Sequence, residues 1–345
     1  MESLAERLES GDVAERIGAA KEIRRLTRSS PEHRRALSSA VGPLVQLLCC
    51  ASSIEDGEEA AAAAMLALLN LAVKDDQNKI AIVEAGSLDP IIHYLQSTNP
   101  NLQEYAAALL LTLSASSHNK PAISASGPIP LLFQILKDGT KQAKTDSLMS
   151  LYNLSTLSQN LLSLLSLHPI PPLLTLIRSC RRKSSKIAEK SCALLESLVA
   201  FDEGRTALIG EDGGVLTVVE VIEEGSLLGK EYAVGTILTM CESNRDKYRE
   251  AILKEGVIPG LLELTVQGTP KSRTKARRLL ELLRNSTYNR PRLEADTIEN
   301  IVSDVVSQMD GQDCADKARR MVAEMVRVSM ERSLRHLKHR AFYVN

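Results

Sequence analysis

Tryptophan is absent from this chain, and three Phe with seven Tyr bring aromatics to only 3% of its 345 residues. An all-β sandwich or barrel draws on aromatic and β-branched residues for its packed faces, so this scarcity argues against one. Long apolar runs are missing too. The longest unbroken one, Ala60 to Leu69, is half of the roughly 20 residues a bilayer span requires. Neither charge sign prevails: 42 Lys and Arg stand against 43 Asp and Glu, so the chain as a whole offers no basic face for nucleic acid or a membrane surface. The opening, MESLAERLES, has no signal-peptide pattern, and six scattered cysteines (Cys49, Cys50, Cys180, Cys192, Cys241, Cys314) read as reduced thiols. Cys49 and Cys50, at the end of an apolar helical run, read as buried structural thiols. The expectation is a soluble protein of the cytoplasm, the nucleus or both.

Catalytic signatures are missing as well. There is no Gly-x-Gly-x-x-Gly, no P-loop, no Cys-x-x-Cys and no His-Glu-x-x-His. His336 and His339 share a helical face, but Arg335, Lys338 and Arg340 beside them would repel a cation. The chain is therefore read as non-enzymatic, with no cofactor, no metal site and no small-molecule substrate.

What is abundant is Leu and Ala, both strong helix formers, arranged in a repeat. GPIPLLFQIL from Gly127 has cousins in GSLDPIIHYL from Gly86, GGVLTVVEVI from Gly213 and GVIPGLLELT from Gly256. SAVGPLVQLL from Ser39 and HPIPPLLTLI from His168 lack the leading glycine. In all six copies the third, sixth, seventh, ninth and tenth positions are apolar, except for Thr265. Six apolar residues in one column arise by chance about once in a hundred, and the spacing is that of one helix face.

Each copy is followed by a longer helical pattern (58–73, 102–113, 145–154, 190–199, 230–240, 274–283), then by a short third piece ending at the next start. Glycine at that junction suits a C′ position with positive φ, and the prolines after it (Pro43, Pro90, Pro130, Pro171, Pro172, Pro259) suit a first helical turn. A partial unit precedes the six, its long helix near 12–29. A unit of about 41 to 47 residues cannot bury its apolar face alone and must stack on its neighbours.

This three-helix unit resembles the armadillo repeat. The entry AAKEIRRLTRSSPEHR (19–34), the GSLDPII and GPIPLL copies and the exit GTPKSRTKARRLLELLR (268–284) are similar to the armadillo region of plant U-box armadillo proteins. The resemblance implies an all-α, right-handed α-solenoid over residues 1–285. It also implies a binding groove on the concave face. In that family a separate U-box recruits a ubiquitin-conjugating enzyme; no U-box core is found here, so the chain resembles an armadillo-only relative. Residues 286–345 read as a different segment, a C-terminal pair of amphipathic helices, acidic from Arg292 to Asp316 and basic from Lys317 to Arg340.

The resemblance also implies a site. In armadillo proteins a recurring Asn on the long helices contacts an extended peptide. The equivalent column here reads Arg25, Asn70, Thr112, Asn153, Ser197, Thr239 and Leu282, so only Asn70 and Asn153 match. One turn earlier the column is Lys21, Leu66, Ala108, Met149, Ala193, Gly235 and Arg278. Importin-α has Trp there, so import-cargo binding is not expected. The candidate contacts are Arg25, Asn70, Thr112, Met149, Asn153, Ser197 and Thr239, lining a groove apolar at its centre and basic at its ends. The expected partner is a protein or peptide segment with apolar anchors and acidic flanks; membrane and nucleic acid are not expected. Asn70 and Asn153 equally fit a plain structural task, tying neighbouring long helices together. The function that follows is an interaction scaffold or adaptor, in a ubiquitin or signalling pathway; the alternative is a component of a U-box ubiquitin ligase. A basic cluster, Arg178, Arg181, Arg182, Lys183 and Lys186, falls in a turn between helices and reads as a solvated loop, with a nuclear-import signal or a phosphate contact as the alternatives.

Overall fold

A computed structural model describes residues 2–284 apart from Glu55. Among the described residues there are twenty α-helices and no strands. The chain divides into two compact units, Met1–Glu281 and Leu282–Asn345, and the expected helical pair at 286–345 lies outside the described residues.

The first unit is an α-solenoid. A partial repeat, α1 (Glu2–Leu8) and α2 (Val13–Thr27), precedes six three-helix repeats. Repeat 1 is α3 (Pro31–Ala36), α4 (Val41–Cys50) and α5 (Gly57–Ala72). Repeat 2 is α6 (Asp76–Glu84), α7 (Leu88–Leu95) and α8 (Pro100–Ser114). Repeat 3 is α9 (Lys120–Ala125), α10 (Ile129–Asp138) and α11 (Lys141–Leu154). Repeat 4 is α12 (Ser158–Leu165), α13 (Ile170–Ser179) and α14 (Lys186–Leu198). Repeat 5 is α15 (Asp202–Gly210), α16 (Gly214–Glu224) and α17 (Leu227–Ser243), and repeat 6 is α18 (Arg245–Lys254), α19 (Ile258–Gln267) and α20 (Pro270–Leu283). From α2 through α17 the successive long helices pack on one another, and in repeats 1 to 5 the medium helix packs on the long helix of its own repeat.

The sharp turn before each medium helix forms where the glycines predict it. Gly86, Gly127, Gly213 and Gly256 have φ between 61° and 85°. In one of the two copies without a glycine, His168 adopts the same left-handed conformation at φ 54°, a strain that its Cβ makes costly. Repeat 1 avoids the problem with a 3-10 turn at Ser38–Ala40.

Two polar ladders hold successive repeats in register, and the apolar pattern gives no hint of either. In the first, a buried Asn on the short helix, or at its N-cap for Asn119, reaches back to the preceding repeat. Asn78 Nδ2 donates to Leu71 O (3.1 Å) and Arg34 O (3.2 Å), and Asn119 Nδ2 to Leu113 O (3.3 Å) and Lys79 O (2.9 Å). Asn160 Nδ2 donates to Leu154 O and Ser124 Oγ, each at 2.8 Å. These amides add a side-chain donor to carbonyls in the last turn of the long helices, of which Leu113 O and Leu154 O also accept a backbone N–H. Arg34 performs the same task on Thr27 O, and Arg205 on Val199 O and Ala200 O.

In the second ladder, residues at the start of one long helix bond a carboxylate of the long helix before it. Asn99 donates to Glu58, Thr140 to Glu104, Ser226 to Glu189 and Thr269 to Glu231. Each carboxylate thus lies at the positive end of the next helix dipole.

The opening MESLAERLES contributes to the stack. It forms α1, with Leu4 and Leu8 buried against α2 and repeat 1. Cys49 is exposed and Cys50 half-buried, which corrects the expectation of two buried thiols: both lie on the last turn of α4, beyond the stripe Leu44–Leu48 that faces the core. Cys192 and Cys241 are buried, and desolvation pushes their thiols up to about 12 and about 11.

Candidate functional site: the long-helix face

Stacking places one helical column of every long helix on a common face. That face is the inner side of a curved stack at its C-terminal half, because side chains two repeats apart meet across the helix between them. Tyr152 on α11 reaches Tyr232 on α17, their hydroxyls 3.5 Å apart, passing over α14. Lys190 of α14 rises between them, its ammonium 4.2 Å from the Tyr152 ring centroid. Lys275 on α20 reaches Glu196 on α14 at 2.5 Å and passes over Gly235 of α17. A Cβ at Gly235 would overlap Glu196 Oε1 and come within 2.7 Å of Lys275 Nζ, so a side chain there would push the ion pair out of this position. Desolvation raises the Glu196 carboxyl, while the Lys275 ammonium pulls it back down. The Tyr232 phenol is pushed up by its bond to Tyr152 and by burial. Ala193 lies buried in the midst of these groups.

At the other end the face is open. Lys21, Arg24, Arg25, Arg28 and Asn70 surround a cavity of about 470 Å³. Arg25 is held by both oxygens of Glu22 (2.8 and 2.6 Å) and Lys21 by Glu59 (2.5 Å). Arg24 and Arg28 are exposed, and no carboxylate among the described residues pairs with either. Beyond them half-buried Leu66, Leu69, Ala108, Leu111 and Met149 form an apolar floor.

The sequence-derived contacts are placed as follows. Asn70 Nδ2 donates to Arg24 O at 2.8 Å, and Asn153 Nδ2 to Ser114 Oγ at 3.1 Å, so each ties its helix to the one before. Each keeps a second N–H and an Oδ1 that no described residue bonds. Thr112 and Ser197 turn their hydroxyls back to Ala108 O and Ala193 O of their own helices. Thr239 and Met149 are half-buried on the same face. Asn70 and Arg25 share the basic cavity; Asn153, two repeats on, borders the closed half. Sequence reasoning missed Tyr152, Lys190, Glu196, Tyr232 and Lys275. All five stand one or seven positions before the Asn column, so reading the neighbouring columns would have found them.

Among the described residues no group of three or more His, Cys, Asp or Glu side chains could hold a metal, and no single helix is long and apolar enough to cross a membrane.

Stacked three-helix repeats with their long helices on one lined face define an armadillo solenoid, a protein-interaction fold. The match to the family model "Plant U-box protein ARM repeat region" covers residues 1–303, and the chain belongs to that family. It is similar to three Arabidopsis thaliana proteins. To U-box domain-containing protein 45 it is 29% identical over 86% of this chain and 38% of that one. To U-box domain-containing protein 9 it is 31% identical over 82% and 61%, and to U-box domain-containing protein 17, 31% identical over 78% and 36%. The chain therefore spans between about a third and three-fifths of the length of these relatives. The matched part is their armadillo region, and no U-box is indicated within the chain. Among solved structures, an engineered protein superposes with a TM-score of 0.67 at 21% identity, covering 82% of this chain and 67% of that one. A second engineered protein gives 0.56 at 16% identity, covering 71% and 98%. At such identities the likeness shows the fold alone.

Proposed function

We propose that this chain is a non-enzymatic interaction scaffold or adaptor that holds a partner protein segment on the long-helix face of α2, α5, α8 and α11. The observation that carries the reading is the unequal filling of that face. Its C-terminal half is occupied by the protein's own Tyr152–Tyr232 and Glu196–Lys275 bridges, while its N-terminal half offers an apolar floor ending at free guanidinium groups. A segment suited to it has apolar anchors over Leu66, Leu111 and Met149 and a carboxylate at Arg24 and Arg28. Asn70 supplies both a donor and an acceptor to the segment's backbone. Family membership suggests a ubiquitin-related pathway, acting in the cytoplasm, the nucleus or both.

The test begins with pull-down from plant extract and continues by calorimetry with the partner obtained. Asn70→Ala with Asn153→Ala removes two polar contacts, each of about 1 kcal/mol or roughly fivefold in affinity. Met149→Glu is the disruptive control, with melting as the check on folding. Well-folded variants that bind as before would remove the site from this face.

A second reading is favoured by the relatives' greater length. A longer form of the protein carrying an in-frame U-box would act as a ubiquitin-ligase component, with this solenoid as its substrate-binding part. Sequencing the upstream transcript, then assaying autoubiquitination of the longer form, separates the two.

A further inference from the structure

The basic turn of repeat 4 divides into two sets of cations. Three are engaged within the solenoid. Arg178 bonds Thr217 Oγ1 (2.9 Å) and Asp212 O, Lys183 pairs with Glu220 (3.1 Å), and Lys186 pairs with Glu189 (3.3 Å). Arg181 and Arg182 are exposed and have no such partner among the described residues. They edge a cavity of about 1030 Å³ between repeats 3 and 4, where the end of α13 and the start of α14 face the start of α11. Lys141 and Lys144 stand on the opposite edge; the Lys144 ammonium also bonds Lys137 O at 2.6 Å. No Asp or Glu lines this space. Between the cations run Leu148, Leu176, Ile187 and the methyl-bearing Thr175, with Leu176 and Ile187 only half-buried.

We propose that this cavity is a second docking site, for a protein segment that inserts an aliphatic side chain between Leu176 and Ile187 and places carboxylates against Arg181, Arg182 and Lys141. Charge complementarity selects the occupant. Four cations without a lining acid attract an anionic segment, and the accessible apolar floor rewards an anchor that a free anion lacks. Nucleic acid fits less well, because no aromatic side chain lines the cavity for a base to stack on. The site lies at the turns between medium and long helices, away from the basic cavity around Asn70, so it stands or falls independently of the proposed groove.

The probe is a fluorescein-labelled peptide rich in Glu and Ser with two leucines at helical spacing, titrated with the full chain by anisotropy at moderate salt. Saturable binding is expected, weakened at least tenfold in R181E/R182E and in Leu176→Ser, with melting unchanged. K271E/R277E, which alters the net charge equally at two exposed basic residues of α20, should bind like the unmodified chain. A peptide with serine for both leucines should bind at least tenfold more weakly. The proposal is overturned by no binding, by equal binding of the leucine-free peptide, by equal loss in K271E/R277E, or by tighter binding of single-stranded DNA that R181E/R182E abolishes.

Discussion

At single residues, the repeat exposes strain by comparison with its own copies. Gly127 and Gly213 occupy the left-handed turn without cost, while His168 holds the same φ with a Cβ that crowds the backbone. His168→Gly should therefore stabilise the protein by up to about 1 kcal/mol despite the looser unfolded chain, raising the denaturant midpoint with an unchanged m-value. A lower midpoint would show that the imidazole makes contacts worth more than the strain.

Asp146 is a second residue out of keeping with its surroundings. It is buried on α11, and desolvation raises its carboxyl despite two hydrogen bonds from Gln142 Nε2 (3.0 and 3.1 Å). A raised folded-state pKa means that the native state favours the protonated acid. Its contribution is fully present below the ordinary carboxylate range and is lost as pH rises through the raised value. Asp146→Asn keeps an acceptor for Gln142 without the charge. The variant should melt higher than the parent at pH 7, with the gap closing near pH 4; a constant gap would point to packing instead.

At the level of elements, the long and medium helices were legible because their apolar columns recur at helical spacing in six copies. The long helix expected at 58–73 runs from Gly57 to Ala72, and that expected at 274–283 starts earlier, at Pro270. Starts were read late because the first turns are polar and carry capping residues such as Thr140, Ser185 and Ser226. α1 was not read as a helix at all, since seven residues hold too few apolar positions to show a period. Its importance is testable. Leu8 is 1% exposed, so Leu8→Ala should cost about 2–5 kcal/mol if α1 closes the end of the stack as one cooperative piece. A cost within about 0.5 kcal/mol would mean that α1 frays independently of the rest.

The ladders of Asn78, Asn119 and Asn160 escaped notice for a different reason: the search followed apolar columns, and these are polar residues at equally regular spacing. Asn119→Ala removes the side-chain donor to Leu113 O and Lys79 O, an expected loss of about 1 kcal/mol in denaturant unfolding. A neutral result would mean that water replaces the side chain.

At the scale of the whole solenoid, the long-helix face is filled unequally along its length. The column rule treated seven long helices as equivalent. The structure makes them unequal, because side chains on neighbouring columns meet over Ala193 and Gly235 and fill the C-terminal half. Contacts between residues 79 and 80 positions apart depend on curvature, which no single repeat encodes. The most direct test of the account compares the two halves in one binding titration with the partner segment. Arg24→Glu combined with Asn70→Ala should weaken binding at least tenfold, whereas Glu196→Gln combined with Lys275→Met should leave it within about twofold, both variants remaining folded. Loss of binding in the second variant and not in the first would place the partner on the closed half and contradict the account.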